Sequence, residues 1–380
     1  ARINVEIGGN SEGLYYLTTG EERRLYYPLS DGPVIVTSED GDPIVSAIRL
    51  QSYTNNILYS FVETMGVPQG SLSHKYYFPT YNNTWAPLNS QLRFGNLNNT
   101  AIKVKVTIGT SFWVYDVPAN SEKREYLPVS GGPVIIESLD PVTQIPDPTK
   151  KIVAAIRLQS YVNDTLHSFA ETMGIPTEQL SDVYYFPTYN NTWGPLNSQL
   201  RFGNLNNVAI KVRVTIGASS WVYDVPANSE RREYLPVSGG PVVIQSLDAV
   251  TENPDPTKKI IAAIRLQSYT NDTLYSFVET MGVPAGLLSH KYYFPTYNNT
   301  WGPLNSQVRF GNLNATTTRI RVTIGGVNVW EQDVPGLEER RLYFNVSGGP
   351  VIIESLDTNK KNVAAKRLQS YTNDNLYSFS

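Results

Sequence analysis

The stretch Tyr76-Tyr77-Phe78-Pro79-Thr80-Tyr81-Asn82-Asn83-Thr84-Trp85 recurs letter for letter from Tyr184 to Trp193 and from Tyr292 to Trp301, each copy 108 residues after the one before. Every copy runs on into Gln-Leu-Arg-Phe-Gly-Asn-Leu or Gln-Val-Arg-Phe-Gly-Asn-Leu, ending at Leu97, Leu205 and Leu313. In the same register, Gly-Pro-Val (Pro33, Pro133, Pro241, Pro350) and Arg-Leu-Gln-Ser-Tyr (Tyr53, Tyr161, Tyr269, Tyr371) each occur four times. Solenoid repeats run about 20–50 residues, so a period this long means whole domains in series.

Within one repeat, Ile102, Val104, Val106 and Ile108 alternate with Lys103, Lys105 and Thr107, the period-two pattern of a half-buried strand. Similar runs follow at Trp113–Val117, Lys123–Val129, Pro133–Ser138 and Ile152–Tyr161, separated by turns rich in Asn, Gly and Pro. With the Tyr184–Tyr189 and Ser198–Phe202 types, the count reaches about seven strands per repeat, which predicts an all-β fold of tandem immunoglobulin-like β-sandwich domains. One element breaks the pattern. Leu166, Phe169 and Met173 stand at i, i+3 and i+7, after Asn163 and Asp164 and before Gly174 and Pro176, which predicts a short helix. Its copies place Phe61, Met65, Phe169, Met173, Phe277 and Met281 at the joints between domains, as an apolar plug or as methionines filling core gaps.

The connection from Phe202 to Ile210 is a short turn and that from Gly174 to Tyr184 a longer linker, so the Tyr-Tyr-Phe-Pro strand is expected to open a domain. The expected division is an incomplete repeat at residues 1–62, then repeats at 63–170, 171–278 and 279–380. The first would lack two opening strands. It would then expose backbone edges, met either by more of the same chain or by a strand from a neighbouring chain.

The composition, 41% hydrophobic and 17% charged with 27 Gly, 25 Pro and 25 Tyr, supplies material for packed cores. The formal charge of -3 and scattered basic residues leave no footprint for nucleic acid. No cysteine is present, so packing has to supply the robustness, and no apolar run is long enough to cross a bilayer.

Polar residues that look special recur in every repeat, a sign of architecture, and no nucleophile elbow, P-loop or zincin motif occurs; no enzyme, cofactor or metal site is expected. His74 and His290 share a repeat position but align with Asp182, and His167 aligns with Tyr59 and Tyr275, which argues against a histidine function. The loops Glu39–Asp42, Asp140–Lys151 and Asp248–Lys259 carry carboxylates without regular calcium-ligand spacing. The surface candidate is Tyr81, Asn82 and Trp85, with Tyr189, Asn190 and Trp193 and with Tyr297, Asn298 and Trp301. Aromatic faces beside amides suit a sugar-binding platform, while the competing reading has the rings closing a sandwich end and the asparagines bonding turn backbone. The Asn-Asn-Thr triplets, with Asn163, Asn271, Asn314 and Asn345, also fit the N-glycosylation pattern.

The run Tyr-Tyr-Phe-Pro-x-Tyr-Asn-Asn, then Asn-Ser-Gln-Leu-Arg-Phe-Gly, Gly-Pro-Val and Ser-Phe-x-Glu-x-Met-Gly resembles the β-sandwich repeats of long secreted proteins of filamentous Chloroflexota-type bacteria. Tyr77 and Thr80 stand where that family often has tryptophan. The resemblance implies extracellular or cell-surface display of repeat arrays and carries over no functional residue. Two roles fit. One is a self-assembling structural subunit of an extracellular filament, its domains joined end to end as a semi-rigid rod with identical joints. The other is an adhesin or carbohydrate-binding array in which repetition supplies avidity toward a polysaccharide. Non-catalytic domains of a larger secreted enzyme form a third possibility. Exposed Trp85, Trp193 and Trp301 would favour the second role, and rings buried or held in chain-to-chain contacts the first.

Overall fold

A computed structural model describes residues 1–54, 57–85, 88–162, 165–194, 196–270, 273–302, 304–372 and 375–379. In the first unit, β1 (Arg2–Ile7), β2 (Asn10–Tyr16) and β3 (Val34–Ser38) form an antiparallel sheet in the order β2-β1-β3, and β4 (Ala47–Thr54) pairs with β5 (Ile57–Met65). The second unit contains β6 (Lys75–Phe78), β7 (Tyr81–Asn82), β8 (Leu88–Asn96), β9 (Ile102–Ile108), β10 (Ser111–Val117) and β11 (Glu122–Glu125). It continues with β12 (Ser130–Gly131), β13 (Val134–Leu139), β14 (Ile152–Val162), β15 (Thr165–Met173) and β16 (Ile175–Pro176). These strands make a five-stranded sheet β10-β9-β13-β6-β16, a four-stranded sheet β11-β8-β14-β15, and the small pair β7-β12. The third unit repeats all three sheets, and the fourth repeats them without a counterpart of β16 among the described residues.

The alternation in β9 becomes alternating burial, with Ile102, Val104, Val106 and Ile108 inside. They meet Tyr76, Phe78 and Ile136 from their own sheet and Leu92, Phe94, Ala154 and Ile156 from the other, so each complete unit is a two-sheet sandwich around one core. Gly132 is required where the chain crosses close to its neighbour, because a Cβ there would stand 2.1 Å from the Pro79 carbonyl oxygen.

The expected joint helix is not formed. Thr165–Met173 is a strand paired antiparallel with β14, from Val162↔Thr165 through Leu158↔Ala170 to Ala155↔Met173, with a bulge at Ser160/Tyr161. The bulge leaves His167 without an opposite residue and shifts the alternation, so Leu166 shares a face with Phe169 and Met173, as Leu274 joins Phe277 and Leu58 joins Phe61; a bulged strand meets the i, i+3, i+7 spacing as well as a helix would. The long free edge of β14 decides the outcome by offering this segment a full ladder of backbone hydrogen bonds. Asn163 and Asp164, read as helix caps, lie outside the described residues. The helical turns that do form are the 3-10 turns Gln69–Ser71, Thr177–Gln179 and Ala285–Leu287, each directly after a proline. The expected linker after Gly174 begins instead with β16, which covers the edge of β6 through Ile175↔Tyr77 and Pro176↔Tyr76.

The units are not strung end to end as a rod. β5 packs against β15, β15 against strand Thr273–Met281, that strand against Asn375–Phe379, and the last back against β5, so four hairpins close a ring. Thr64 Oγ1 donates to Glu171 O at 3.2 Å, and Thr172 Oγ1 donates to Glu279 O at 2.8 Å. Apolar clusters repeat the relation: Phe277 and Leu274 of the third unit sit on Leu88, Leu158 and Ala170 of the second, and Phe61 and Leu58 of the first sit on Leu304 and Leu368 of the fourth. An outer set of contacts agrees. Arg124, Arg232 and Arg341 each donate to the preceding unit, at Ser30 Oγ (3.2 Å), Thr80 Oγ1 (3.3 Å) and Tyr189 O (3.5 Å). Arg24, at the same repeat position in the first unit, donates to Thr296 Oγ1 of the fourth at 3.1 Å. The chain exposes 16944 Å2, whereas four separate bodies of a quarter of its mass would together expose about 22,000 Å2, leaving about 5000 Å2 closed between units.

The closing junction has its own chemistry. Ile48, Ile156 and Ile264 share a repeat position, and the fourth unit has Lys366 there. Lys366 is buried, donates from Nζ to Thr296 O at 2.9 Å, and forms an ion pair with Glu63. In the third unit the equivalent Glu279 receives Arg265 and, from the counterpart of β8, Arg201. Glu63 receives Arg49 from β4, and Lys366 supplies its second cation. Burial would raise the Glu63 carboxyl, but the Lys366 ammonium and then the Arg49 guanidinium hold it below the ordinary range.

Candidate binding grooves

The Tyr-Asn-Asn-Thr-Trp turn is divided between interior and surface. Tyr81, Asn82, Tyr189, Asn190, Tyr297 and Asn298 are buried, while Trp85, Trp193 and Trp301 are 47%, 53% and 56% exposed. Tyr81 OH accepts from Leu127 N at 2.8 Å and from Asn83 Nδ2 at 2.8 Å, and Asn83 Nδ2 also lies 2.9 Å from Ser90 O and 3.0 Å from Leu127 O. Asn82 N donates to Ser90 Oγ (2.8 Å), and Asn82 Nδ2 donates to Trp85 O (3.0 Å). The same network surrounds Asn190, Asn191, Asn298 and Asn299. The amides therefore fasten the turn to its sandwich instead of facing a ligand, and they hold each tryptophan backbone in place. Burial raises the hydroxyl pKa of Tyr81, Tyr189 and Tyr297, so these phenols remain neutral hydrogen-bonding groups. The acceptor nitrogens of Asn82, Asn190 and Asn298 are sealed in the same way, which removes these three triplets as glycosylation sites of the folded chain. Asn163 and Asn271 lie outside the described residues.

Two of the exposed tryptophans, Trp193 and Trp301, stand at junctions between units. Trp193 of the third unit forms one side of a cavity of about 800 Å3 whose other lining comes from the fourth: Asn305, Gln307, Arg309, Arg341, Tyr343 and Arg367, with Asn299, Phe344 and Asn345 at the rim. Trp301 stands in the same relation to the first unit, with the Arg24 guanidinium 5.5 Å from its ring centroid. The second unit has a related hollow of about 520 Å3 lined by Asn83, Asn89, Tyr126, Leu127, Pro128 and Tyr161. Sequence reasoning missed the floor of these grooves. The Gln-Leu-Arg-Phe-Gly stretch served only as a repeat marker, although its alternation places Gln and Arg together on the face away from the Leu and Phe of the core.

Beneath the floor lies a layer of buried charge. Arg157 Nη2 pairs with Glu171 at 2.8 Å, with Arg93 Nε at 3.5 Å, and Arg265 Nη2 and Arg201 Nε hold Glu279 at 2.9 and 3.5 Å. Burial, and after it the neighbouring Arg265 charge, pushes the Arg201 pKa down from the usual guanidinium range. Two cations to one carboxylate give this layer a positive bias in each of these units.

Comparison with protein-family models, with curated proteins and with solved structures returns no match.

The remaining sequence candidates are elsewhere. Phe61 and Phe277 are buried in the contacts between hairpins, and Phe169 is buried beside Ser60, which accepts its backbone N–H at 3.4 Å. Met281 packs on the core of the third unit, Met173 is half-buried, and Met65 is 36% exposed. Asp140 Oδ1 accepts from Val142 N and Thr143 N at 3.0 and 2.7 Å and from Thr143 Oγ1 at 2.9 Å, and Asp248 makes the same set with Val250 and Thr251. These turn hydrogen bonds, chiefly from the Thr143 and Thr251 backbones, hold both carboxyls below the ordinary range. Among the described residues no group of three or more His, Cys, Asp or Glu side chains is placed to hold a metal ion.

Proposed function

We propose that this chain is a non-enzymatic carbohydrate-binding array displayed at a cell surface or outside the cell, built from immunoglobulin-like sandwiches. The observation that carries the reading is the placement of Trp85, Trp193 and Trp301: half-exposed and anchored through their backbones by buried asparagines, with Trp193 and Trp301 standing at junctions between units. A fixed aromatic face beside amide, phenol and guanidinium groups matches a sugar, whose apolar face stacks while its hydroxyls take hydrogen bonds. Several such sites on one compact body give avidity toward a polymer without requiring strong single sites. The test is retardation of the chain in gels containing polysaccharide, followed by calorimetry with oligosaccharides. Trp85→Ala, Trp193→Ala and Trp301→Ala together should abolish retardation and leave the unfolding midpoint nearly unchanged. Equal retardation of the wild-type and triple-variant chains would end the reading.

A second reading, the filament subunit, is favoured by one observation. In complete units β13 pairs with the counterpart of β6, and β14 with β8. The corresponding edges of β3 and β4 have no strand partner among the described residues. Strand addition, from more of the same chain or from another copy, would satisfy those edges. Electron microscopy showing ordered fibres at high concentration would favour this reading; discrete particles would count against it.

A further inference from the structure

Resting on the glycan-binding reading, we infer that the grooves take an uncharged polysaccharide, read by a tyrosine and an asparagine that recur from unit to unit. The hollow of the second unit and the groove beside Trp193 are built at the same repeat positions: Asn83, Asn89 and Tyr126 line the one, and Asn299, Asn305 and Tyr343 line the other. No residue of this recurring set is charged. Each tyrosine is oriented from within its own unit: Tyr126 OH donates to Gln159 Oε1 at 2.6 Å, Tyr234 OH to Gln267 Oε1 at 2.9 Å and Tyr343 OH to Gln369 Oε1 at 2.9 Å. The three rings remain 49%, 47% and 49% exposed. Tyr234 belongs to the third unit, which has a further unit on either side, so this exposure is a property of the repeat.

These groups match a neutral sugar. Donation to the glutamine uses the phenol hydrogen and leaves the tyrosine oxygen to accept from a ligand hydroxyl, while the fixed ring gives an apolar face for stacking. Asn89, Asn197 and Asn305 are half-buried, and among the described residues their side chains have no hydrogen-bond partner. Each amide is therefore free to donate to one sugar hydroxyl and accept from its neighbour. Asn83 and Asn299, by contrast, are engaged in their own turns. A carboxylate or sulfate on the ligand would call for a cation, and the recurring set holds none. The arginines line the groove beside Trp193 but not the hollow of the second unit, and Arg341 is held by Glu339 and by Tyr189 O at 3.5 Å. Beside Trp193, Tyr343 adds an aromatic face from the next unit, so a chain of sugars bound there touches both units.

The experiment runs the full 380-residue chain through gels containing neutral polysaccharides (β-glucan, xylan, mannan, dextran) or acidic ones (pectate, alginate), then titrates oligomers of the most retarding polymer by calorimetry at low and high salt. A neutral polymer should retard the chain more than either acidic one, and its affinity should change less than about twofold with salt. Asn89→Ala, Asn197→Ala and Asn305→Ala together should weaken binding about tenfold and leave the unfolding midpoint unchanged. The triple Tyr126→Phe, Tyr234→Phe and Tyr343→Phe variant, which keeps the rings and loses the oxygens, should weaken it as well. Stronger retardation by an acidic gel, a salt-sensitive affinity, or an asparagine variant that binds like the wild type overturns the neutral-ligand inference while leaving glycan binding intact. Retardation by none of the gels overturns both.

Discussion

The ion pair Lys366–Glu63 should hold the ring shut, and Glu63→Gln is the change that tests it most directly. Both side chains are buried, and together they join residues from opposite ends of the array. The substitution leaves a buried ammonium facing an amide and Thr296 O, and removing one partner of a buried pair costs about 3–5 kcal/mol. Lys366→Ile, which restores the residue found in the other three units, leaves Glu63 bound to Arg49 at 2.6 Å and should cost only about 1–3 kcal/mol, the range for a lost hydrogen bond to a charged group. The double variant removes the orphaned ammonium and leaves only the partly buried Arg49 without its carboxylate, so it should fall well short of the sum of the two single costs. Urea unfolding of all four chains gives the energies, and small-angle scattering gives the shape. A closed compact particle of this length has a radius of gyration near about 21 Å, and Glu63→Gln should increase it. The sign with pH follows from the carboxyl. Its folded pKa is lowered, so its contribution is present above the unfolded value of about 4.3 and is lost as pH falls through the folded one. The Lys366 pKa is lowered by burial against the pull of Glu63, so that group adds stability only as pH rises toward about 10.4. Single-variant losses under about 1 kcal/mol, strictly additive and with unchanged scattering, would refute the role assigned to this pair.

Two further outcomes follow from the sandwich itself. Gly240→Ala would place a Cβ 2.2 Å from Pro187 O and 3.0 Å from Thr188 Cα, both backbone atoms, so the third unit should lose about 1–3 kcal/mol, read as a lowered urea midpoint. Asn191→Ala removes the side chain that bridges Tyr189 OH, Ser198 and Leu235 O, and should cost about 1–3 kcal/mol. It should also weaken ligand binding at Trp193 by loosening the turn that carries the ring, and a stable chain with unaltered binding would contradict the anchoring role.

Much of the local architecture was legible in the residues. The 108-residue recurrence and the alternation of Ile102 to Ile108 named a repeated half-buried strand, because a pleated strand buries every second side chain whatever lies elsewhere in the chain. The Asn-rich turns and the cores followed for the same reason. The hairpin at Thr165–Met173 did not: its residues suit a short helix or a strand about equally, and only the presence of the β14 edge selected the strand. The division of the Tyr-Asn-Trp stretch was hidden as well, since Tyr81, Asn82 and Trp85 are alike in sequence as polar-aromatic candidates. Which of them faces water depends on where Ser90, Leu127 and Ser130 arrive from distant strands. By itself the sequence determined the repeat, the all-β class and the strand faces, all properties of near neighbours. The tertiary structure alone decided that the units close into a ring, that Arg24 and Glu63 meet the fourth unit, and that Trp193 stands over an arginine-lined groove, because each of these rests on contacts between residues more than a hundred positions apart.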